Sequence, residues 1–383
     1  MTPRTDVGTV EDLHVSAARA TGLDDFGADD PTEALGVLLD SYRSEAGLTE
    51  LGSKMSRFFL KGALVARLLS EKAFTDHPEH AGIPVERPIF VTGLPRTGTT
   101  ALHRLLTADP GHQGLEMWLT EYPQPRPPRD TWESDPVYQA INANFEQHHV
   151  ENPEFMGLHY MSAGDVEECW QLLRQTMKSI SYESLAYLPS YSRWLDGQDW
   201  IDAYRRHKRN LQLIGSPDAE KRWVLKNPSH LFAIDELLSV YPDAVIVQTH
   251  RAPRTIVASM CSLAESATAG WSTTFVGETI GRTQLELWSR GLRRFADARS
   301  RHDAGHFVDV DFDDLRRDPV GVVEDIYAAA GIPFTDEARA AVTAMDADSK
   351  KGPRAPKHHY DLADYGLTTE MVDETFDGLV PTP

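Results

Sequence analysis

Apolar residues follow two different patterns along this chain, and the change comes near residue 86. Before it, segments such as EALGVLLDSYRSEAG and MSRFFLKGALVARLLSEKAF place apolar residues three and four apart, the spacing that lines one face of a helix. From residue 89 the pattern contracts into short apolar runs: IFVT ending at Gly93, RWVLK at Arg222–Lys226, AVIVQT at 244–249 and HFVDV at 306–310. Each run is β-rich and gives way to a loop and then a helical stretch. Runs of this kind read as parallel strands buried on both faces beneath covering helices. The predicted fold is α/β, a P-loop-like parallel sheet flanked by helices, with an N-terminal helical extension. The expected boundaries are 1–85 for the helical region, 86–335 for the core and 336–383 for a C-terminal segment, with an aromatic-rich helical insertion at about 118–215.

Composition narrows the functions open to such a fold. The chain has 383 residues, 41% hydrophobic and 25% charged, which is ordinary for a globular protein. No apolar run is long enough to span a membrane, and the first twenty residues lack the continuous apolar stretch of a secretory signal. Cys169 and Cys261 stand far apart without metal-ligand spacing, so neither a disulfide framework nor a metal site is expected, and a reducing cytoplasm is. A net charge of −20 argues against nucleic acid as a partner. To bind an anion, so acidic a chain must concentrate cations and backbone N–H groups in one place. In parallel sheets that place lies beyond the carboxyl ends of the strands.

Two loops there carry such groups. Residues 90–100, FVTGLPRTGTT, read as strand, glycine-bearing loop and helix, which aims successive N–H groups and a helix N-terminus at one spot. Gly93 and Gly98 fit the nucleotide-triphosphate loop, but Thr99 stands where that loop requires lysine, and Arg96 places the cation inside the loop instead. This counts against an ATPase or GTPase. In residues 247–259, Arg251 follows a strand and Ser259 lies eight residues further on the next helix. A guanidinium fork and a hydroxyl together suit phosphate oxygens.

The first loop resembles the 5′-phosphosulfate loop of the PAPS-dependent sulfotransferase superfamily (PAPS is 3′-phosphoadenosine-5′-phosphosulfate), in the arginine form similar to tyrosylprotein-type and many bacterial members. Arg251 and Ser259 have the spacing of the family's 3′-phosphate pair. Residues 308–319, VDVDFDDLRRDP, are similar to its strand, acidic turn and proline-started helix, and Lys350-Lys351-Gly352 to the basic-glycine segment that closes over the nucleotide. The motifs span about 86–335.

The resemblance implies in-line transfer of a sulfuryl group from PAPS, as co-substrate, to an acceptor hydroxyl, with no metal. Pro95, Arg96, Thr97, Gly98, Thr99 and Thr100 would cradle the 5′-phosphosulfate, with Arg96 on the bridging oxygen. Glu116, twenty residues beyond Arg96, falls near the family's proposed general base; His159 is the rival base. Lys226 would stabilise the leaving group, although Asn227 departs from the usual residue after it. The acceptor is expected to be a small-molecule or lipid hydroxyl. The aromatic-dense stretch from Trp118 to Tyr204 would line its pocket or fill the core, and Asp165, Glu167 and Glu168 would recognise its hydroxyls or cap a helix. The proline-rich residues 122–129 read as a rigid surface connection. The alternatives are a P-loop nucleotide-dependent phosphotransferase (a kinase) and a nucleotide-binding module without catalysis.

Overall fold

The computed structural model describes residues 6–151, 162–351 and 361–380. Five parallel strands form one sheet: β1 (Ile89–Gly93), β2 (His112–Gln113), β3 (Arg222–Lys226), β4 (Val245–His250) and β5 (Phe307–Asp311), in the order β2-β3-β1-β4-β5. Four of them are the runs read from the sequence. The fifth, β2, is two residues long and exists only by pairing with Arg222 and Trp223 of β3, so no local pattern announces it.

Successive side chains of a strand point to opposite faces, and here each face meets its own core. Phe90, Leu225 and Ile246 enter one apolar cluster. Ile89, Val91, Val224, Val245 and Val247 enter another, with Leu102 and Leu106 of the loop helix and Val323, Ile326 and Tyr327 of the helix Pro319–Ala330. Burying each such side chain is worth about 1.5–3 kcal/mol, which fixes the strand faces and therefore where the strand tips point.

The described residues of the N-terminal region form three α-helices, α1 (Val10–Thr21), α2 (Thr32–Ser44) and α3 (Glu50–Asp76), and a short 3-10 turn at Pro78–Gly82. Leu13 of α1, Leu35 and Leu38 of α2, and Leu60, Leu64 and Leu68 of α3 belong to the same cluster as Phe90. The region therefore shares the main core and does not build one of its own. Buried Arg67 of α3 stitches it further, donating to the carbonyls of Phe26, Asp29 and Gln175 at 2.5, 2.6 and 3.1 Å. Most aromatics of the 118–204 stretch are core as well: Trp118 packs edge-on against Trp132 and Tyr138 at 5.5 and 5.6 Å, and Trp200 is buried. Among the described residues, no helix is long and apolar enough to cross a membrane.

Candidate active site

The tips of β3, β1 and β4 lie side by side, because Val91 is in register with both Lys226 and Val247, and Gly93 with Thr249. Gly93 adopts φ 141°, and a Cβ there would stand 2.5 Å from the Thr249 hydroxyl and 2.6 Å from its carbonyl oxygen. Only glycine lets the two strand ends approach this closely. Thr97, buried beneath the loop, ties it down by donating to the Leu94 carbonyl at 2.7 Å and sharing a 2.5 Å hydrogen bond with the Thr249 hydroxyl. Gly98, at φ 91°, begins the helix α4 (Thr99–Thr107), and a Cβ on it would press on Phe312 and Leu315 at 3.1 Å.

No side chain among the described residues caps the start of α4. The first N–H groups of a helix lack intrahelical acceptors, so Thr99 and Thr100 present donors and the positive end of the helix dipole at this spot. Arg96 is exposed at the bend in a left-handed conformation, φ 71°, which is strained for a side chain of its size and is held there by the packing of the loop.

The second loop meets the first directly. The Arg251 guanidinium donates to the Arg96 carbonyl at 3.2 Å and stacks over the Phe312 ring at 4.1 Å, the same ring that faces Gly98. Burial holds the Arg251 guanidinium below its ordinary pKa; Asp313 opposes this, while the nearby charges of Arg96 and Arg316 add to it. In a chain of net charge −20, three arginines crowded around one loop are a local excess of positive charge. Ser259 lies half-buried on the helix Val257–Ala267 that follows.

On the other side of β1, Lys226 is buried at the tip of β3. Its ammonium lies 3.4 Å from the Thr100 hydroxyl and is ion-paired with Glu168. The strap carrying Glu168 is pinned at both ends: the Glu167 N–H donates to the Leu115 carbonyl at 2.7 Å, and the Cys169 N–H to the Lys226 carbonyl at 3.0 Å. An isolated antiparallel bridge joins Val166 to Glu116. Glu168, from a distant stretch, is thus brought to Lys226 beside the loop, and the backbone bridge sets Glu116 next to the same strap. Burial pushes the Glu116 carboxyl above the ordinary carboxylate range, against the opposing Arg126 charge. Burial, reinforced by neighbouring Glu168, lifts Glu167 to about 7, although Lys226 opposes the shift.

Arg126 corrects the reading of residues 122–129 as a surface connection. It is buried, donating to Glu116 at 3.1 Å, the Gln113 side chain at 2.7 Å, the Gly114 carbonyl at 2.8 Å and Asp218 at 2.9 Å. The prolines stiffen a segment in which Arg126 turns inward to hold Glu116, while Arg129 stays exposed. Sequence reasoning missed Arg126 altogether and left Glu167 and Glu168 between two readings, acceptor recognition and a helix cap, neither of which is the pairing of Glu168 with Lys226. No motif marks them; the only available signal was an arginine amid prolines and two adjacent acids before a buried cysteine. Lys350 and Lys351 are exposed at the end of the helix Asp336–Ser349, where their ammonium groups engage Asp346 and Asp348 at 2.6 and 2.7 Å. Gly352 and His159 lie outside the described residues.

Fold and site together define a P-loop-like α/β protein whose central strand tips gather cations and helix-start amides. Residues 88–336 match the profile of the Sulfotransferase family, and the chain belongs to that family. It is similar over its whole length to two solved structures. Sulfotransferase STF1 from Mycobacterium tuberculosis H37Rv is 62% identical, with 98% of this chain and 100% of that one covered and a TM-score of 0.92. Sulfotransferase STF9 from Mycobacterium avium is 30% identical, with coverage of 98% and 96% and a TM-score of 0.87. A curated relative from M. tuberculosis, omega-hydroxy-beta-dihydromenaquinone-9 sulfotransferase Stf3, is 26% identical over 267 residues, or 64% of this chain. The chain spans 63% of the length of that relative.

Proposed function

We propose that this protein transfers the sulfuryl group of PAPS in line to the hydroxyl of an apolar acceptor. The observation that carries the reading is the contact between Arg251 and the Arg96 carbonyl, which brings two anion-suited loops within reach of one adenosine nucleotide. The residues fit such a donor. Uncapped amides of Thr99 and Thr100 suit the 5′-phosphate, and Arg251 with Ser259 suits the 3′-phosphate.

In the reaction the acceptor oxygen forms a bond to sulfur while the bond from sulfur to the bridging oxygen breaks, and adenosine 3′,5′-bisphosphate leaves. The protein supplies position and charge. Arg96 and Lys226 flank the loop and oppose the charge that grows on the bridging oxygen and sulfonate. Glu116 takes the acceptor proton; burial makes its carboxylate more basic, and Arg126 fixes its orientation. Glu168 holds Lys226 beside Thr100. Stf3, by its name, acts on a hydroxyl of a menaquinone, which supports an apolar acceptor here.

The test is thermal unfolding with nucleotides. Adenosine 3′,5′-bisphosphate without magnesium is expected to raise the melting temperature, and ATP is not. Stabilisation by Mg·ATP alone would instead establish the phosphotransferase alternative.

A further inference from the structure

The long helix α3 carries apolar residues on two faces. Leu60, Leu64 and Leu68 enter the main core. On the other side Leu51, Met55, Phe58 and Phe59 follow at the spacing of a single helix face. Leu51 is 47% and Phe58 66% exposed, while Met55 and Phe59 are half-buried. Apolar residues scattered singly over a surface need no explanation, but a stripe along one helix does. A loop extends the stripe sideways. The Thr49 N–H donates to the Trp271 carbonyl at 2.9 Å, and the Thr49 hydroxyl to the Gly270 carbonyl at 2.7 Å. The Trp271 ring then lies 5.8 Å from that of Phe59, which is 6.0 Å from that of Phe58.

Charge on this helix is as uneven as its hydrophobicity. In a chain of net charge −20, residues 51–70 hold no acid and four bases, Lys54, Arg57, Lys61 and Arg67. Arg67 is buried and ion-paired with Asp29, and Arg57 donates to the Val7 carbonyl at 3.4 Å. Lys54 and Lys61 stand four residues before Phe58 and three after it, so they flank it on the helix surface. Among the described residues neither lysine has a carboxylate in ion-pair contact.

An exposed ring between two ammonium groups on long stems suits the boundary of an anionic bilayer. The ring enters the edge of the acyl region, the lysines extend to headgroup phosphates, and tryptophan is favoured at that depth. We propose that the α3 face around Phe58 docks this protein on the surface of an anionic lipid bilayer. A two-fold dimer through the same face would set Lys54 and Lys61 against the same lysines of the other copy, which like charge opposes. Two anchors and two lysines make a reversible attachment to one leaflet; among the described residues no helix is long and apolar enough to cross it. The inference rests on α3 and its neighbouring loop, not on the sulfotransferase reading.

Flotation of the full chain with vesicles at low salt tests the proposal. One set is phosphatidylcholine alone, the other equal parts phosphatidylcholine and phosphatidylglycerol. The chain is expected to bind the mixed vesicles about 10- to 100-fold more tightly, and added salt to remove the difference. Replacing both lysines, Lys54→Gln with Lys61→Gln, should erase the preference. Phe58→Ser should weaken binding to the mixed vesicles about tenfold or more. Both variants should keep the wild-type melting temperature and its shift with adenosine 3′,5′-bisphosphate, since neither touches the core or the strand tips. Absence of binding to the mixed vesicles, equal binding to both sets, or undiminished binding by either variant would overturn the proposal. So would a wild-type dimer, seen by light scattering, that Phe58→Ser dissolves, because the face would then belong to a second copy of the chain.

Discussion

At the tips of β1 and β4 the chain reaches the site within one turn of a strand, and the groups that gather there come from two continuous segments, 93–100 and 249–259. The proposed acceptor side is assembled differently. Glu116, Arg126 and the adjacent pair Glu167 and Glu168 come from three separate stretches, held by a buried arginine and a pinned strap. The proposed donor side depends on backbone geometry: two glycines, an uncapped helix start and a strained arginine. The acceptor side depends on charges paired or left unpaired in low dielectric. Damage to the first should therefore appear in nucleotide affinity and turnover, and damage to the second in stability and its dependence on pH.

The largest effect expected is at Arg126. Arg126→Ala strips a buried carboxylate of its counter-charge, and loss of one member of a buried pair costs about 3–5 kcal/mol, measurable by urea unfolding. A loss under about 1 kcal/mol would show that this side is not held by its ion pairs. Next is Arg96→Ala, for which turnover should fall about 10²- to 10³-fold with an unchanged melting temperature, since the side chain is exposed. Arg251→Ala should weaken adenosine 3′,5′-bisphosphate about 10- to 100-fold and leave saturated turnover nearly intact.

Glu167 supplies the pH test. Its carboxyl is lifted from 4.5 to about 7, so between those values the folded chain binds more protons than the unfolded one. Stability therefore falls as pH rises through that window. Glu167→Gln should be more stable than wild type by about 1–2 kcal/mol at pH 8 and indistinguishable at pH 4. A difference that does not change with pH would contradict the assignment. The smallest effect is expected for Lys350→Ala and Lys351→Ala, whose exposed pairs contribute at most about 0.5 kcal/mol to stability. Should either weaken the bisphosphate tenfold, the C-terminal segment would join the donor side.

The same contrast explains what the sequence revealed. Strands buried on both faces show as continuous apolar runs and a glycine loop follows from local sterics, so β1, β3, β4 and β5 and the loop residues 95–100 were legible. Gly93, Gly98 and Arg251 were likewise marked by their place after a strand. Arg126 was not, because its neighbours are prolines and its acceptors lie on two separate segments, 113–116 and Asp218. Nor could Arg174 be recognised, since what distinguishes it is a buried Nε without an acceptor among the described residues, which only packing reveals. The two-residue β2 needs tertiary pairing to exist at all.

The central claim is that one nucleotide bridges the loop at Arg96 and the guanidinium of Arg251. Its most direct test is the affinity for adenosine 3′,5′-bisphosphate relative to 5′-AMP, which lacks only the 3′-phosphate, in the wild type and in Arg251→Ala. The account predicts a strong preference for the bisphosphate in the wild type and its disappearance in the variant. An equal preference in both proteins would contradict it.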